Sequence, residues 1–525
     1  MTLAIARSRS GSAICSADGA LLHSAYSPER EAERFLEASV SSLPSTIVLL
    51  GPCLDYLAPP LRRRFPGARI AAIQYSPFFR GREVAPADAS WYPDSPCSLS
   101  AFLSATIDED SVSGVAVLEW APASRAFPEA ARAAREALRS ALDRLASSAA
   151  TVKASGRAWI LNSCRSFLLA ERLVFPRPVT SPIVVAASGP SLERSLDLLS
   201  SRRESYFLIA VSSALAACVA RRLEPDLVAA TDGGAWSRLH LYPLARGRDA
   251  PLALPLSALP SASLWSKVPL LLLDQGSFAE SELLPFLGGG FPSPPHGTVA
   301  GSAIKLAAAL GAGPVIVAGL DLAALGDASH ARPHGFDHYL GGSATRLSSL
   351  EGRAWERRAA EAARPLDGQW RGSRSLAVYA AALSSDATAL KGRLFRLLPS
   401  PQKIDGFSDI DARGLGEALD SGRPANGESL FAAQTAAPAP PDRLDYLSSR
   451  LKAWRETAGR ACSLLGAGRD LPDPRTGELL RSLDLPDWAA ALRARAAGAD
   501  PAPAASALAL RVEAAIDDIE RRLIP

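Results

Sequence analysis

Apolar residues follow two rhythms along this chain. Between residues 155 and 400 they come in short unbroken runs, Ile183–Ala187, Phe207–Val211, Leu227–Thr231, Leu270–Leu273 and Val315–Ala318. Stretches with helical, three-to-four spacing separate several of them, over 191–201, 213–222 and 299–311. Unbroken rather than alternating strands, interleaved with helices, predict a parallel sheet covered on both faces. Ligands of such sheets bind at the carboxyl ends of the strands, near a topological switch point.

The flanks read differently. Thr46-Ile47-Val48-Leu49-Leu50 predicts a buried strand, Gly51-Pro52 a turn, residues 53–64 a helix and Arg69–Ile73 a second strand. A long helix is expected from Pro128 to about Ala150. After Asp411 the pattern weakens, and residues 421–441 (SGRPANGESLFAAQTAAPAPP) have the composition of a linker. From Asp442 to Pro525 only amphipathic helices with i,i+4 charge pairs are expected. The fold class is therefore α/β: a small α/β domain over 1–150, a central Rossmann-like parallel sheet over 155–410, the linker, and a helical module over 442–525.

Composition narrows the field. The 525 residues are 48% hydrophobic and 21% charged, which excludes a wholly disordered or collagen-like chain. With 57 Lys+Arg against 54 Asp+Glu the net charge is only +3, too small for a dedicated nucleic-acid binder. The six cysteines are widely spaced without a C-x-x-C pair, so neither a zinc motif nor a disulfide framework is expected. The N-terminus has no secretory apolar core. The most apolar stretch, Leu306 to Leu320, is broken by Gly311-Ala312-Gly313-Pro314, so no membrane insertion is expected. A cytoplasmic protein is the expectation.

Four places combine strand ends with reactive or anion-binding side chains. At the first, the strand ending in Ala187 runs into Ser188-Gly189-Pro190-Ser191 before a helix begins. Gly189 lets a ligand approach the backbone, Pro190 suits a first helical turn, and Ser191 adds a hydroxyl, as a phosphate site requires. An ordinary turn with a capping serine would read the same way. At the second, Asp232 follows a strand, where its carboxylate can meet a ribose hydroxyl, an ammonium or a metal. The other reading of Asp232 is an Asx turn into Gly233-Gly234.

The third place is His296-Gly297-Thr298 at a helix start, with Asp321 closing the next strand; Asp321 reads equally as site contact and as structural support. The fourth is the loop 326–338, with His330, His334 and His338 at i, i+4 and i+8. Pro333 and Gly335 argue against a helical metal stripe there. A general base or phosphate contact fits His330 and His334 better, and a solvated role fits His338. The turn Leu50-Gly51-Pro52-Cys53 echoes the central corner but has no acidic strand-end residue near it in sequence. It is expected to bind no nucleotide.

The run Ile183–Leu192, then Ala210-Val211-Ser212-Ser213-Ala214-Leu215, Pro225-Asp226, Thr231-Asp232, Gly297-Thr298-Val299 and Gly319-Leu320-Asp321-Leu322, resembles the central domain of the motility-associated factor (Maf) family. Those bacterial glycosyltransferases attach nonulosonic acids, of the pseudaminic or legionaminic type, to flagellin Ser/Thr. The same domain resembles archaeal 6-hydroxymethylpterin pyrophosphokinase (MptE-like) and, more distantly, small bacterial sialyltransferases. The resemblance covers about residues 155–340.

It implies a sialyltransferase-like sheet and a CMP-nonulosonic acid donor, with flagellin as the acceptor and no separate cofactor or metal. Gly189, Pro190 and Ser191 would lie at the donor phosphate. Ser188 and Ser212 occupy positions where the sialyltransferases use asparagine. Gly297 and Thr298 would hold the nucleotide, and His330, or next His334, would serve as base. Arg332 and Arg238 are candidates for the donor carboxylate. Two alternatives accompany this reading. One is a pterin diphosphokinase using ATP and Mg²⁺ on Asp232 and Asp321, and the other is a non-catalytic flagellin-binding factor.

Overall fold

Thr46-Ile47-Val48-Leu49-Leu50 offers no polar face to water, and as strand β1 (Thr46–Leu50) it is buried along its whole length. It lies between β2 (Arg69–Ile73) and β4 (Val115–Glu119), with β3 (Ala89–Trp91) beyond β2, in the parallel order β3-β2-β1-β4. This computed structural model describes residues 1–39, 44–247, 250–360, 364–387, 390, 392–421, 431 and 435–524. It divides into two units, Met1–Arg157 with Leu451–Asp518, and Ala158–Arg450 with Ile519–Pro525.

In the first unit the helix expected over 53–64 starts later, at Ala58–Arg64. Cys53 and Asp55 adopt φ of 57° and 54°, left-handed values that no right-handed helix passes through. The Asp55 carboxylate instead accepts the Ala58 N–H at 3.2 Å, which opens the helix there. Helix α1 (Pro128–Leu169) continues well past Ala150. The helices Pro474–Leu483 and Leu485–Ala496 belong to this unit. They are tied to its N-terminal part through Asp110, which pairs with Arg481 and accepts the Trp488 indole N–H at 2.7 Å. Most of the 442–525 segment thus shares a unit with the N-terminal sheet, a division that sequence pattern alone does not show. The expected linker 421–441 falls largely on residues outside the described ones.

The second unit is built on β5 (Ile183–Ala186), β6 (Phe207–Val211), β7 (Leu227–Ala229), β8 (Leu252–Pro255), β9 (Leu270–Asp274) and β10 (Val315–Ala318). A small antiparallel sheet follows, β11 (Ala324–Leu325), β12 (Arg364–Pro365) and β13 (Trp370–Gly372), and then β14 (Leu394–Leu397) and β15 (Ser408–Ile410). The main strands run parallel in the order β15-β14-β10-β5-β6-β7-β8-β9. Helices α2 (Leu192–Ser201), α3 (Val299–Leu310) and α4 (Arg374–Ala387) belong to the same unit. Their apolar faces and the strands form one core that includes Val184, Leu208, Ile316, Leu196, Ile304 and Leu383.

Chain order sets where a ligand can enter. From β5 the chain steps outward through β6 to β9, and β10 then returns to the other side of β5. Adjacent loops leave β5 and β10 in opposite directions, opening a crevice at their carboxyl ends. Among the described residues no helix is long and apolar enough to cross a membrane.

Candidate functional site

The crevice between β5 and β10 is occupied by a cavity of about 700 Å³. Its floor is Ala187, Ser188 and Gly189 after β5, Val211 at the end of β6 and Ser213 beyond it, and Gly319 to Ala324 after β10. Backbone bonds sew the two central strand ends together: Ala187 N–H to Ala318 O and Gly189 N–H to Gly319 O, each 2.8 Å. Gly189 is obligatory here. A Cβ on it would lie 2.5 Å from both Gly319 O and Asp321 Oδ2. Leu322, also on the floor, is held at φ 45°, strain that stable surroundings must hold in place.

Ser191 does not face the cavity. Its N–H donates to Asp321 Oδ2 at 2.7 Å and its hydroxyl to Asp321 Oδ1 at 2.5 Å. Both residues are 1% exposed. Burial pushes the Asp321 carboxyl above its usual range, opposed by the two bonds from Ser191. Asp321 is therefore structural support: a clasp between the two strand ends. Pro190 is buried behind it. The expected phosphate contacts at Pro190 and Ser191 are corrected accordingly; of that corner, Ser188 and Gly189 remain on the cavity wall.

Four further expectations are displaced: Ser212, Asp232, His296 and Gly297 are not on the cavity wall. Ser212 is 3% exposed and lies behind Ser213, which takes the wall position. Asp232 lies outside the cavity wall, and its Oδ1 accepts the Gly234 N–H at 2.7 Å. The Asx turn is thus the observed role, and it presents Trp236 to the cavity mouth. His296 turns into the protein. Its Nδ1 accepts the Thr298 N–H at 3.1 Å, and its Nε2 lies 3.7 Å from Asp386. Burial lowers its pKa, so the ring is held neutral. Gly297 makes room for Tyr379, whose ring edge would lie 2.9 Å from an added Cβ.

What the structure does assemble is a helix start and a histidine loop on the wall of one cavity. Thr298 caps α3 by accepting the Gly301 N–H at 3.0 Å, and Thr298, Val299 and Ala300 line the cavity. That end of a twelve-residue helix favours an anion through its free amides and dipole. His330 and His334 are also on the wall, with ring centroids 4.5 Å apart. The loop is stitched down: Ala331 N–H donates to Ser188 O and Arg332 N–H to Glu193 Oε1, each at 2.8 Å. His330 Nδ1 lies 3.0 Å from Ser329 Oγ, which orients the ring. His338 is exposed and off the wall.

Sequence reasoning missed several wall residues. His240, itself off the wall, packs edge-on against the wall residue His334 at 4.7 Å, and burial lowers its pKa against the opposing charge of Asp232. Trp236 and Tyr339 form an aromatic pair at the mouth, centroids 4.9 Å apart and about half exposed. Arg371, Ser373 and Tyr379 come from β13 and the start of α4. Of the two arginines singled out in the sequence, Arg332 lines the cavity and Arg238 does not.

Residues 165–327 match the family model described as 6-hydroxymethylpterin diphosphokinase MptE-like. An uncharacterised protein of Treponema pallidum (strain Nichols) is 30% identical over 240 residues, 45% of this chain, and the chain spans about half (52%) of that relative. The solved structure of a Maf glycosyltransferase from Magnetospirillum magneticum AMB-1 superposes over 100% of this chain and 91% of its own, at 12% identity and a TM-score of 0.59. The resemblance carried by the Ser-Gly-Pro-Ser corner and the Gly-x-Asp strand end therefore holds on both counts: an MptE-like domain spans the site-bearing strands β5 to β10, in a chain with the fold of a Maf glycosyltransferase.

Proposed function

We propose that this chain is a sialyltransferase-like glycosyltransferase that moves a nonulosonic acid from a CMP-linked donor to a Ser or Thr of flagellin. The observation that carries the reading is the cavity at the β5–β10 crevice, whose wall holds both an anion-attracting helix start and two histidines. The Maf fold of the whole chain supports it.

The chemistry needs one displacement. The acceptor hydroxyl oxygen bonds to the anomeric carbon of the sugar as the bond from that carbon to the phosphate oxygen breaks. The bonding pair leaves with CMP. The amides of Val299 and Ala300 and the Ser188 hydroxyl stabilise the charge that grows on the phosphate. His330 takes the hydroxyl proton, with Ser329 orienting its ring and His334 packed beside it. This scheme asks no metal ion of the protein.

The MptE-like match favours a second reading, diphosphate transfer to a pterin. It would place Mg²⁺ on Asp232 and Asp321. Those residues do not fit the ion: Asp321 is committed to Ser191, and Asp232 is off the cavity wall and bonded to Gly234. Incubating the full chain with CMP-nonulosonate and flagellin, and separately with ATP, Mg²⁺ and 6-hydroxymethylpterin, tests both readings. Sugar on flagellin supports the first and a pterin diphosphate the second. A chain that binds flagellin and yields neither product is a non-catalytic binding factor.

A further inference from the structure

The cavity wall carries more positive than available negative charge. Its acidic residues are Asp321, Asp327 and Asp337. Asp321 is clasped to Ser191, Asp337 Oδ2 accepts the His334 N–H at 2.7 Å, and Asp327 is also engaged. Its arginines, Arg332 and Arg371, have no ion pair or side-chain hydrogen bond among the described residues. Two guanidiniums facing a cavity whose carboxylates are already occupied call for an anionic ligand group.

Arg371 is the better fixed of the two. It is half-buried at the centre of the small sheet, paired with Ala324 of β11 on one side and Pro365 of β12 on the other. Ala324 and Gly372 share the cavity wall with it, and Ser373 and Ser375 follow at the start of α4. Arg332 sits in an exposed loop. The α3 helix start and Arg371 are carried by different elements that line the same cavity. Two anion-recognising elements in one cavity match a ligand with two anionic groups.

We propose that Arg371 holds the carboxylate of the transferred sugar and so restricts the enzyme to acidic donors. The inference rests on the CMP-donor reading above and deepens it. A planar guanidinium meets a carboxylate through two parallel N–H bonds, whereas a neutral hexose offers it no such partner. An uncharged sugar would leave Arg371 desolvated and unpaired, which costs binding.

Titration calorimetry of the full chain with CMP and with CMP-N-acetylneuraminate tests the assignment. Arg371→Ala should weaken CMP-N-acetylneuraminate binding about tenfold while changing CMP affinity less than about twofold. Arg371→Lys, which keeps the charge but not the fork, should recover part of the loss. Equal losses for the two ligands, or none for either, would overturn the role of Arg371 and leave the donor reading standing. Failure of the unaltered chain to bind either ligand would instead sink the donor reading, and this inference with it.

Discussion

Replacing Ser191 by Ala separates two roles that one corner of the sheet invites. If Ser191 touched phosphate, its loss would weaken nucleotide binding and spare the fold. The observed geometry predicts the reverse. The hydroxyl donates to a carboxylate in a site where both residues are 1% exposed, so solvent screens little of the interaction. A buried hydrogen bond to a charged group is worth about 1.5–3 kcal/mol. Ser191→Ala keeps the backbone N–H on Asp321 and should cost about that much. Asp321→Ala leaves both Ser191 donors buried without an acceptor, at about 1–3 kcal/mol each, and should cost more. The double variant should cost less than the sum, because the second change removes an already broken contact. A chain with two units is not a safe two-state unfolder. Hydrogen exchange of the Ile183–Ala186 and Val315–Ala318 peptides reads the clasp locally, with CMP affinity measured alongside. Ser191→Ala that leaves exchange unchanged and weakens CMP binding tenfold would refute the clasp.

Other substitutions probe the site and the first unit. Gly189→Ala places a Cβ 2.5 Å from a backbone carbonyl that is itself tied to β10, so CMP binding should fall below detection by calorimetry; an alanine variant with normal affinity would show that the corner can yield. His330→Ala should lower kcat by about 10²–10⁴ with the donor KM nearly unchanged; steady-state kinetics with equal losses in binding would make it a contact instead of a base. Burial raises the Asp55 carboxyl to about 7, far above the unfolded value of about 3.9. The folded state then binds the proton more tightly, so stability should fall as pH rises from about 4 to about 7 and level off above that, by up to about 4 kcal/mol. Asp55→Asn should flatten that slope, read as melting temperature between pH 5 and pH 8; a slope equal to that of the unaltered chain would place the titration elsewhere.

The parallel sheet was legible because its central strands are apolar on both faces, so Ile183–Ala186 and Phe207–Val211 announce themselves without their neighbours. Strand β14 was not, since Arg396 interrupts it. That side chain is 2% exposed and neutralised by Asp409 of the adjacent β15, through two bonds of 2.8 Å. A pairing thirteen residues away in sequence leaves no periodic trace. Strand β8, Leu252–Pro255, sits between prolines and reads as loop. At the site, strand ends identified the crevice and the histidine loop, but not which polar groups look into it. Ser191 and Asp321 satisfy each other, a choice between inward and outward that spacing cannot record. Arg371, Ser373 and Tyr379 come from a segment whose pattern is too weak to place it over a cavity, so the far wall was invisible.

The two sheets show why a strand-end Gly-Pro is not by itself a binding site. In the first unit Gly51-Pro52 follows β1 as Gly189-Pro190 follows the strand β5, and β4 lies beside β1 as β10 lies beside β5. An acidic strand end is present too, contrary to what sequence proximity suggests: Glu119 pairs in register with Leu50. The difference lies in what fills the crevice. A Cβ on Gly51 would lie 2.4 Å from the Tyr75 ring, and every residue from Gly51 to Leu57 is buried. Glu119 is drawn off to Arg135 at 2.6 Å. In the second unit the residue at the place of Tyr75, counted from the strand end, is Ser213. The atoms nearest a Cβ on Gly189 belong to Gly319 and Asp321 and not to a ring, Ser188 and Gly189 stay half-exposed, and the acidic strand end braces the turn. The acid that holds the corner and the absence of a ring in front of it, more than the glycine and proline, leave room there for a ligand.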